Sequence, residues 1–413
     1  MPLLELTLGN PANGGGCVAR DGSGRVVFVR HGLPGERVLA RLTEEHPRWA
    51  RADAVEILEP SPDRVTPPCV FSGPGNCGGC DYQHVSLEAQ RELKRQLLKE
   101  QLRRVGKFDL DVMVESISGD NAGLGTRTRL RFGISASGTF AMRRHRSHEL
   151  IEITTCLLGN DAIKNVMQEH EYFEGNDDLL IIALNGNDVA LTRRVHFVTE
   201  NDALDDPFDD QIDDDDDVEE MEETQHTSVD GVDFDVSPTT FWQSHIQAPS
   251  LLVERVLAAL SLSPGDRVLD LYCGAGLFTK FIAHAVGPEG FVLGIEGSTT
   301  ATRDAEENLT AFPWAVIQES SVSTSVLARA SEGFTHAVLD PPRSGVDAGA
   351  LRTLSAMNTL TTIVSVSCDP ATFARDLRIL VDEGWEISSL RAFDLFPMTE
   401  HIECLAVLLR DGE

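Results

Sequence analysis

The segment Ser367-Cys368-Asp369-Pro370 sets a thiol between an apolar run, Thr362-Ile-Val-Ser-Val-Ser367, and a helix-like stretch from Ala371 to Leu380. Proline cannot continue a strand but suits the first turn of a helix, so Cys368 is expected near a helix N-terminus, where a thiolate is favoured. A lone cysteine at a strand end is more often a small core residue. Its neighbours here favour a nucleophile. Further along, Phe396-Pro-Met-Thr-Glu-His401-Ile402-Glu403 offers two candidate bases, Glu403 and His401, and spacing alone does not choose between them. The plainer reading of Glu403 is an exposed charge before the final strand.

A second constellation lies upstream. The run Val268-Leu-Asp270-Leu-Tyr272 leads into Cys273-Gly274-Ala275-Gly276, which opens a helix. Gly274 and Gly276 allow a sharp turn and a close approach to a ligand, and Asp270 ends the first strand beside the expected switch point. Glu296 ends the next strand, where a carboxylate can accept from ribose hydroxyls. A nicotinamide-type loop would carry a third glycine where Thr279 stands. Together with Asp340-Pro-Pro-Arg343, the acid–loop–acid pattern matches an S-adenosylmethionine site instead.

Cys69, Cys77 and Cys80 form a third group, with Gly78 and Gly79 letting the loop fold back on itself. Three soft ligands in one loop suit either a tetrahedral zinc or an iron–sulfur cluster. Cys156 is the unassigned cysteine of the central region and the candidate fourth ligand. Eight cysteines in a 413-residue chain do not read as a disulfide framework.

These groups need several elements to position them, and 413 residues are too many for one core. Residues 1–59 hold short alternating runs broken by Gly and Pro, which predicts a small OB-like β-barrel. Residues 60–240 are expected to form a central α+β domain carrying the Cys cluster, a helix from Leu87 to Arg104, a hairpin at 129–143 and strands over 178–198. From residue 241 to 413, strands alternate with helices, the pattern of an α/β, Rossmann-like parallel sheet. The segments Trp385–Phe396 and Ile402–Leu409 have no helix between them, so the sheet should finish with an antiparallel pair.

The net charge of −31 is unevenly distributed. Residues 200–223 hold fifteen acids and no Lys or Arg; without them the charge is −16. Such a run can bury almost nothing and is expected to be a solvated loop, either mimicking a polyanion or aiding solubility. By contrast, residues 121–147 hold six arginines (Arg127, Arg129, Arg131, Arg143, Arg144 and Arg146) and no acid. A solvated face is the bland reading. Arginine forks without neutralising acids make phosphate the expected partner. No stretch reaches the roughly 18 apolar residues of a membrane span, and the N-terminus lacks the pattern of a signal peptide. A cytoplasmic, monomeric protein is expected.

Taken in order through residues 230–413, Phe241-Trp-Gln243-Ser, Asp270-Leu-Tyr-Cys-Gly-Ala-Gly276, Asp340-Pro-Pro-Arg343, Ser367-Cys368-Asp-Pro and His401-Ile-Glu403 resemble the RNA uracil-C5 methyltransferases that act on tRNA and rRNA. The resemblance implies methyl transfer from S-adenosylmethionine to carbon 5 of a uridine. Cys368 would add covalently to carbon 6, making carbon 5 nucleophilic, and Glu403 would remove the carbon-5 proton. Gln243, Tyr272, Glu296 and Asp340 fall on the family's cofactor positions, although Asp340 could instead hold the uracil edge through Arg343. Residues 1–59 resemble the RNA-binding TRAM domain, with Cys17 in its core. The rRNA-directed branch carries a [4Fe–4S] cluster on cysteines placed like Cys69, Cys77, Cys80 and Cys156, so an iron–sulfur centre of structural role and an rRNA substrate, of 23S type, are expected over zinc and over tRNA. Two departures stand out: the long gap from Cys69 to Cys77 and the acidic insert. The readings set against this one are a noncatalytic iron–sulfur RNA-binding protein and an amine methyltransferase using Asp340-Pro-Pro, which would need no Cys368.

Overall fold

A computed structural model describes residues 3–119, 122–169, 178–184, 189–194, 224–330 and 333–410. The acidic run 200–223 lies outside the described residues, as does part of 178–198.

The N-terminal region is a six-stranded sheet ordered Leu3–Thr7, Arg37–Glu45, Trp49–Glu59, Val26–Arg30, Gly16–Arg20 and Pro11–Ala12. Alternate residues along the strands point to one face, the period of two that a pleated backbone imposes. Val27, Val29, Val38, Ala40, Ala50 and Ala52 thereby build one small core, which Cys17 joins.

The predicted hairpin belongs to a second, five-stranded sheet. Its order is Leu150–Glu152, Phe140–Arg143, Arg129–Ile134, Asp178–Ile182 and Ala190–Arg194. Helix Asp161–Glu169 buries Ile163, Val166 and Met167 in the same core as Leu130 and Phe132.

The third sheet has eight strands, ordered Ala315–Glu319, Phe291–Glu296, Arg267–Leu271, His336–Leu339, Thr362–Ser367, Glu403–Leu409, Glu386–Phe393 and Val114–Glu115. The first five pair in parallel, and Glu403–Leu409 runs antiparallel to both its neighbours. The order reverses between Arg267–Leu271 and His336–Leu339, which opens a ligand crevice at the carboxyl ends of the strands. The closing antiparallel pair is as the sequence predicts. The strands Ala315–Glu319 and Val114–Glu115 are not among its expectations. The first has half-exposed apolar residues, and the second is only two residues long, too short for a periodic signal.

Helix Leu87–Arg104 starts at Ser86, whose hydroxyl accepts from Ala89 N–H. Leu98 and Leu102 lie in one core with Leu269, Leu271 and Leu377 of the large-sheet region. Lys94, fully buried, donates to Asp394 Oδ1 at 2.5 Å and to the Phe396 carbonyl at 2.8 Å. The helix is thereby fastened to the segment leading into His401. Among the described residues, no helix is long and apolar enough to cross a membrane.

Candidate active site

A cavity of about 370 Å³ opens at the carboxyl edge of the large sheet, and Gln243, Tyr272, Gly274, Glu296, Asp340, Cys368 and Glu403 all line it. Register explains how residues far apart in sequence meet there. Ser367 pairs with Cys404 across antiparallel strands, so one step further Cys368 comes opposite Glu403. Glu403 is 2% exposed. Burial pushes its carboxyl well above the usual carboxylate range, and the charge of Asp340 adds to the shift.

Burial likewise raises the Cys368 thiol, with Glu403 adding to the effect and Arg343 opposing it. Cys368 does stand just before a helix N-terminus, as expected, while burial and the neighbouring acid work against its thiolate. Helix Pro370–Asp382 is capped by Asp369, whose carboxylate accepts from Ala371 N–H at 3.0 Å and Thr372 N–H at 2.7 Å. The terminal donors are satisfied there, and the sulfur stands in a buried site beside an acid.

The glycine loop departs from the sequence reading in one respect. Gly274 lines the cavity, but Asp270 and Gly276 do not. Asp270 is fully buried behind it and accepts from the Thr279 hydroxyl at 2.5 Å. Burial raises its carboxyl to about 7, the Thr279 hydrogen bond opposing and the charge of Asp340 adding. Thr279, which excludes the nicotinamide pattern, thus orients the acid that ends the first strand. Gly276 caps helix Leu277–Val286 at φ 85°, a conformation few other residues adopt cheaply. Tyr272, not a glycine, is also left-handed at φ 65°. Such a residue costs on the order of 1–3 kcal/mol and must be held by its surroundings. Glu296 gathers three backbone donors, Gly274 at 2.9 Å, Gly297 at 2.7 Å and Ser298 at 2.9 Å. Gln243 donates to Asp340 Oδ2 at 3.2 Å, while burial raises the Asp340 carboxyl to about 7.

The segment delivering Gln243 is clamped from two sides. Asp304 accepts from Ser237 N–H (2.8 Å), Ser237 Oγ (2.6 Å) and Thr240 Oγ1 (2.5 Å). From the other side, the Arg129 guanidinium donates to the carbonyls of Thr240 and of Pro238, the latter at 2.8 Å. Arg129 is completely buried, which corrects its expected place on an RNA face. Arg127 is 4% exposed, reaches Ser244 Oγ at 3.4 Å and lies over the Phe396 ring beside the same cavity. Local coverage is the reason: Arg129 and Arg131 share a strand face, but segment 238–240 returns over Arg129 and encloses it, whereas Arg131 is half-buried. Arg143 and Arg144 are also half-buried and Arg146 is exposed. Sequence reasoning missed Asp304, although an acid at the spacing of Ala301, Ala305 and Asn308 on the buried face of helix Thr299–Asn308 signals a satisfied acceptor.

Cys69, Cys77, Cys80 and Cys156 are free thiols in one neighbourhood. Burial pushes Cys77 up to about 12, with the charges of Cys156 and Cys69 adding. Two donors reach these sulfurs: Gly79 N–H to Cys77 at 3.4 Å and Gln83 Nε2 to Cys80 at 3.3 Å. Gly78 passes so close to His145 that a Cβ would lie 2.3 Å from its backbone nitrogen. Four half-buried sulfurs, two of them receiving N–H donors, fit the donor set that an iron–sulfur centre would use. Among the described residues, no group of three or more His, Cys, Asp or Glu is arranged to hold a single metal ion.

Comparison with known proteins adds the lineage. Residues 217–411 match the family described as tRNA (uracil-5-)-methyltransferase, and residues 4–55 match the TRAM domain. An uncharacterized RNA methyltransferase of Streptomyces avermitilis is 40% identical, the alignment covering 98% of this chain and 97% of that one. A 23S rRNA (uracil(1939)-C(5))-methyltransferase RlmD of Chromohalobacter salexigens is 32% identical over 98% of this chain and 89% of its own. The crystal structure of a Pyrococcus abyssi tRNA (uracil-54, C5)-methyltransferase in complex with S-adenosyl-L-homocysteine shares the fold, with a TM-score of 0.72 at 22% identity, covering 98% of this chain and 99% of that one. With a TRAM region in front of a methyltransferase sheet, and with relatives of this identity along almost its whole length, the chain belongs to the S-adenosylmethionine-dependent RNA uracil-5-methyltransferases.

Proposed function

We propose that this chain methylates carbon 5 of a uridine in large-subunit rRNA through a temporary bond between Cys368 Sγ and carbon 6 of the base. The observation that carries this reading is the facing pair Cys368 and Glu403 in the wall of one cavity with Gln243, Tyr272, Glu296 and Asp340. S-adenosylmethionine, held by those four residues, supplies an electrophilic methyl group. The Cys368 thiol must give up its proton, which passes to solvent, before it bonds to carbon 6, and the positive charge of Arg343 favours that loss. Adding sulfur there moves electron density to carbon 5, which would take the methyl group as its bond to the sulfonium breaks and S-adenosylhomocysteine departs. The Glu403 carboxylate then accepts the carbon-5 proton, and the returning electron pair expels the sulfur. Burial and the charge of Asp340 disfavour the charged form of Glu403, and a sulfonium bound nearby would oppose both. His401 lines the cavity as the competing base. The target base must leave its stack to reach the cavity.

The rRNA assignment rests on relatives with 23S names and on the four cysteines. Cys69, Cys77, Cys80 and Cys156 would bind a [4Fe–4S] cluster of structural role, since methyl transfer moves no electron. The eight free thiols suit a reducing cytoplasm. Arg131, Arg143, Arg144 and Arg146 remain the hairpin arginines assigned to phosphate.

RNA carrying 5-fluorouridine tests the chemistry, because fluorine cannot leave as a proton does. A denaturation-resistant adduct that requires both S-adenosylmethionine and Cys368 is expected. Full methyl transfer by Cys368→Ala would overturn the covalent route and favour the amine-methyltransferase reading. A parent protein that binds RNA but neither traps nor methylates it would be the noncatalytic alternative. Separately, iron and acid-labile sulfide near four atoms of each per chain are expected, about one cubane. Stoichiometric zinc without iron would remove the cluster.

A further inference from the structure

Glu400 occupies a junction that the chemistry above does not use. Its carboxylate Oε2 accepts from two consecutive backbone donors of the N-terminal sheet, Gly14 N–H at 2.5 Å and Gly15 N–H at 2.9 Å. Its own N–H donates to Asp81 Oδ2 at 3.2 Å, in the loop that carries Cys77 and Cys80. The same loop donates Asp81 N–H and Tyr82 N–H to the Met398 carbonyl, both at 2.9 Å. Arg30 of the N-terminal sheet closes the circuit by donating to Asp81 Oδ1 at 2.9 Å. The glycines are required by this contact. Gly14 and Gly15 have φ of 93° and 68°, and a Cβ on Gly15 would lie 2.5 Å from Asp81 side-chain atoms.

This junction separates two cavities. Beyond Glu400, His401 lines the cavity at Cys368. On the other side, Gly14 lines a groove of about 520 Å³ between the N-terminal sheet and the hairpin. Arg30, Arg51, Arg144 and Arg146 line that groove, with Phe28 in its wall. Partial desolvation and the charge of Arg51 hold the Arg146 guanidinium below its ordinary value, with Glu44 opposing and Arg30 adding. The cations from the two sides are therefore near one another, although Glu44 and Asp53 also line the groove. A phosphodiester strand relieves such crowding, and an aromatic wall accepts a base.

We infer that Glu400 is a register-setting residue, latching the Gly14–Gly15 turn to the catalytic loop so that an RNA strand in the arginine groove is presented at a fixed offset to the cavity at Cys368. The inference rests on the proposed RNA methylation. It makes Glu400 a positioning residue, acting on long substrates that fill both cavities and little on short ones that fill only the second.

The test compares the parent, E400A and E400Q on two RNAs, a folded rRNA transcript and a short single-stranded oligonucleotide around the same uridine. On the transcript, E400A should raise KM about tenfold while kcat falls less than about threefold. On the oligonucleotide, kcat/KM should change less than about threefold. E400Q keeps an oxygen acceptor and should recover most of the loss. If E400A misfolds, G15A breaks the latch from the other side and should show the same selective loss on the transcript. Equal losses on both RNAs, or none on the transcript, would overturn the latch. If the parent methylated neither RNA, the proposed reaction would fall. The latch would then be decided by equilibrium binding of the same two RNAs, with a selective loss on the transcript supporting it and no such loss overturning it.

Discussion

The carboxyl edge of the large sheet and the arginine hairpin both bring chemistry-bearing side chains together in short stretches, yet they do it by opposite means. At the sheet edge, functional residues sit where strands stop: Cys368 one step past Ser367, Glu403 at the first position of its strand, Glu296 at the last of its own. Pairing register fixes each relative to its neighbour, and the loops beyond leave the side chains facing a cavity. In the hairpin, the arginines lie within paired strands and their turn, and packing assigns them different surroundings. Arg129 holds two carbonyls in a dry interior, whereas Arg146, in the turn, is exposed. The same guanidinium is a structural clamp in one place and a candidate RNA contact in another. Position relative to strand ends, more than residue type, decides which.

The largest effect that would sharpen this contrast is expected from Arg129→Ala. It leaves the buried carbonyls of Pro238 and Thr240 without their donor, at about 1–3 kcal/mol each. Thermal unfolding should fall accordingly, and S-adenosylmethionine should bind more weakly because Gln243 is no longer held. The salt dependence of RNA binding should be unaltered. A stable variant with a flattened salt slope would instead return Arg129 to the RNA face.

Next comes pH. Between its ordinary value of 3.8 and about 7, Asp270 keeps in the native state a proton that the unfolded chain has released. The native state binds more protons across that window, so Asp270 makes stability fall as pH rises, by up to about 1.4 kcal/mol per unit. Asp270→Asn has nothing to titrate, and its stability should be correspondingly flatter from pH 4 to 7 in denaturant titrations. An identical slope in parent and variant would mean that the strand-end acid is charged throughout.

The smallest effect is expected from Arg146→Ala. Folding stability should change by less than about 0.5 kcal/mol, as for an exposed side chain. The slope of log affinity against log salt should fall by about one for the lost phosphate contact. No change in that slope would leave the hairpin without a demonstrated phosphate contact and would narrow the contrast with Arg129.

Much of the catalytic edge is legible in sequence because strand, turn and helix signals coincide there with the motifs. The alternation after residue 241 and the missing helix between Trp385 and Leu409 both have counterparts in the sheet. Less is legible where pattern and environment part. Asp270 reads as a cofactor ligand because it ends a strand, but only packing shows that it lies behind the glycine loop against Thr279. Six arginines without an acid read as a basic face, since the linear chain does not reveal that the carbonyls of Pro238 and Thr240 return to meet one of them. Strand Val114–Glu115 has no periodicity to detect in two residues.

That last strand governs how the protein can be made. Val114 and Glu115 pair only with Ala392 and Phe393, and those residues are held from the other side by Glu403–Leu409. A nascent chain therefore displays its early segment long before the partner exists, and the edge closes only after Glu386–Phe393 has been made. Such distant closure is slow and invites help from chaperones. Deleting Glu403–Leu409 should release not just one strand but an element synthesised almost three hundred residues earlier.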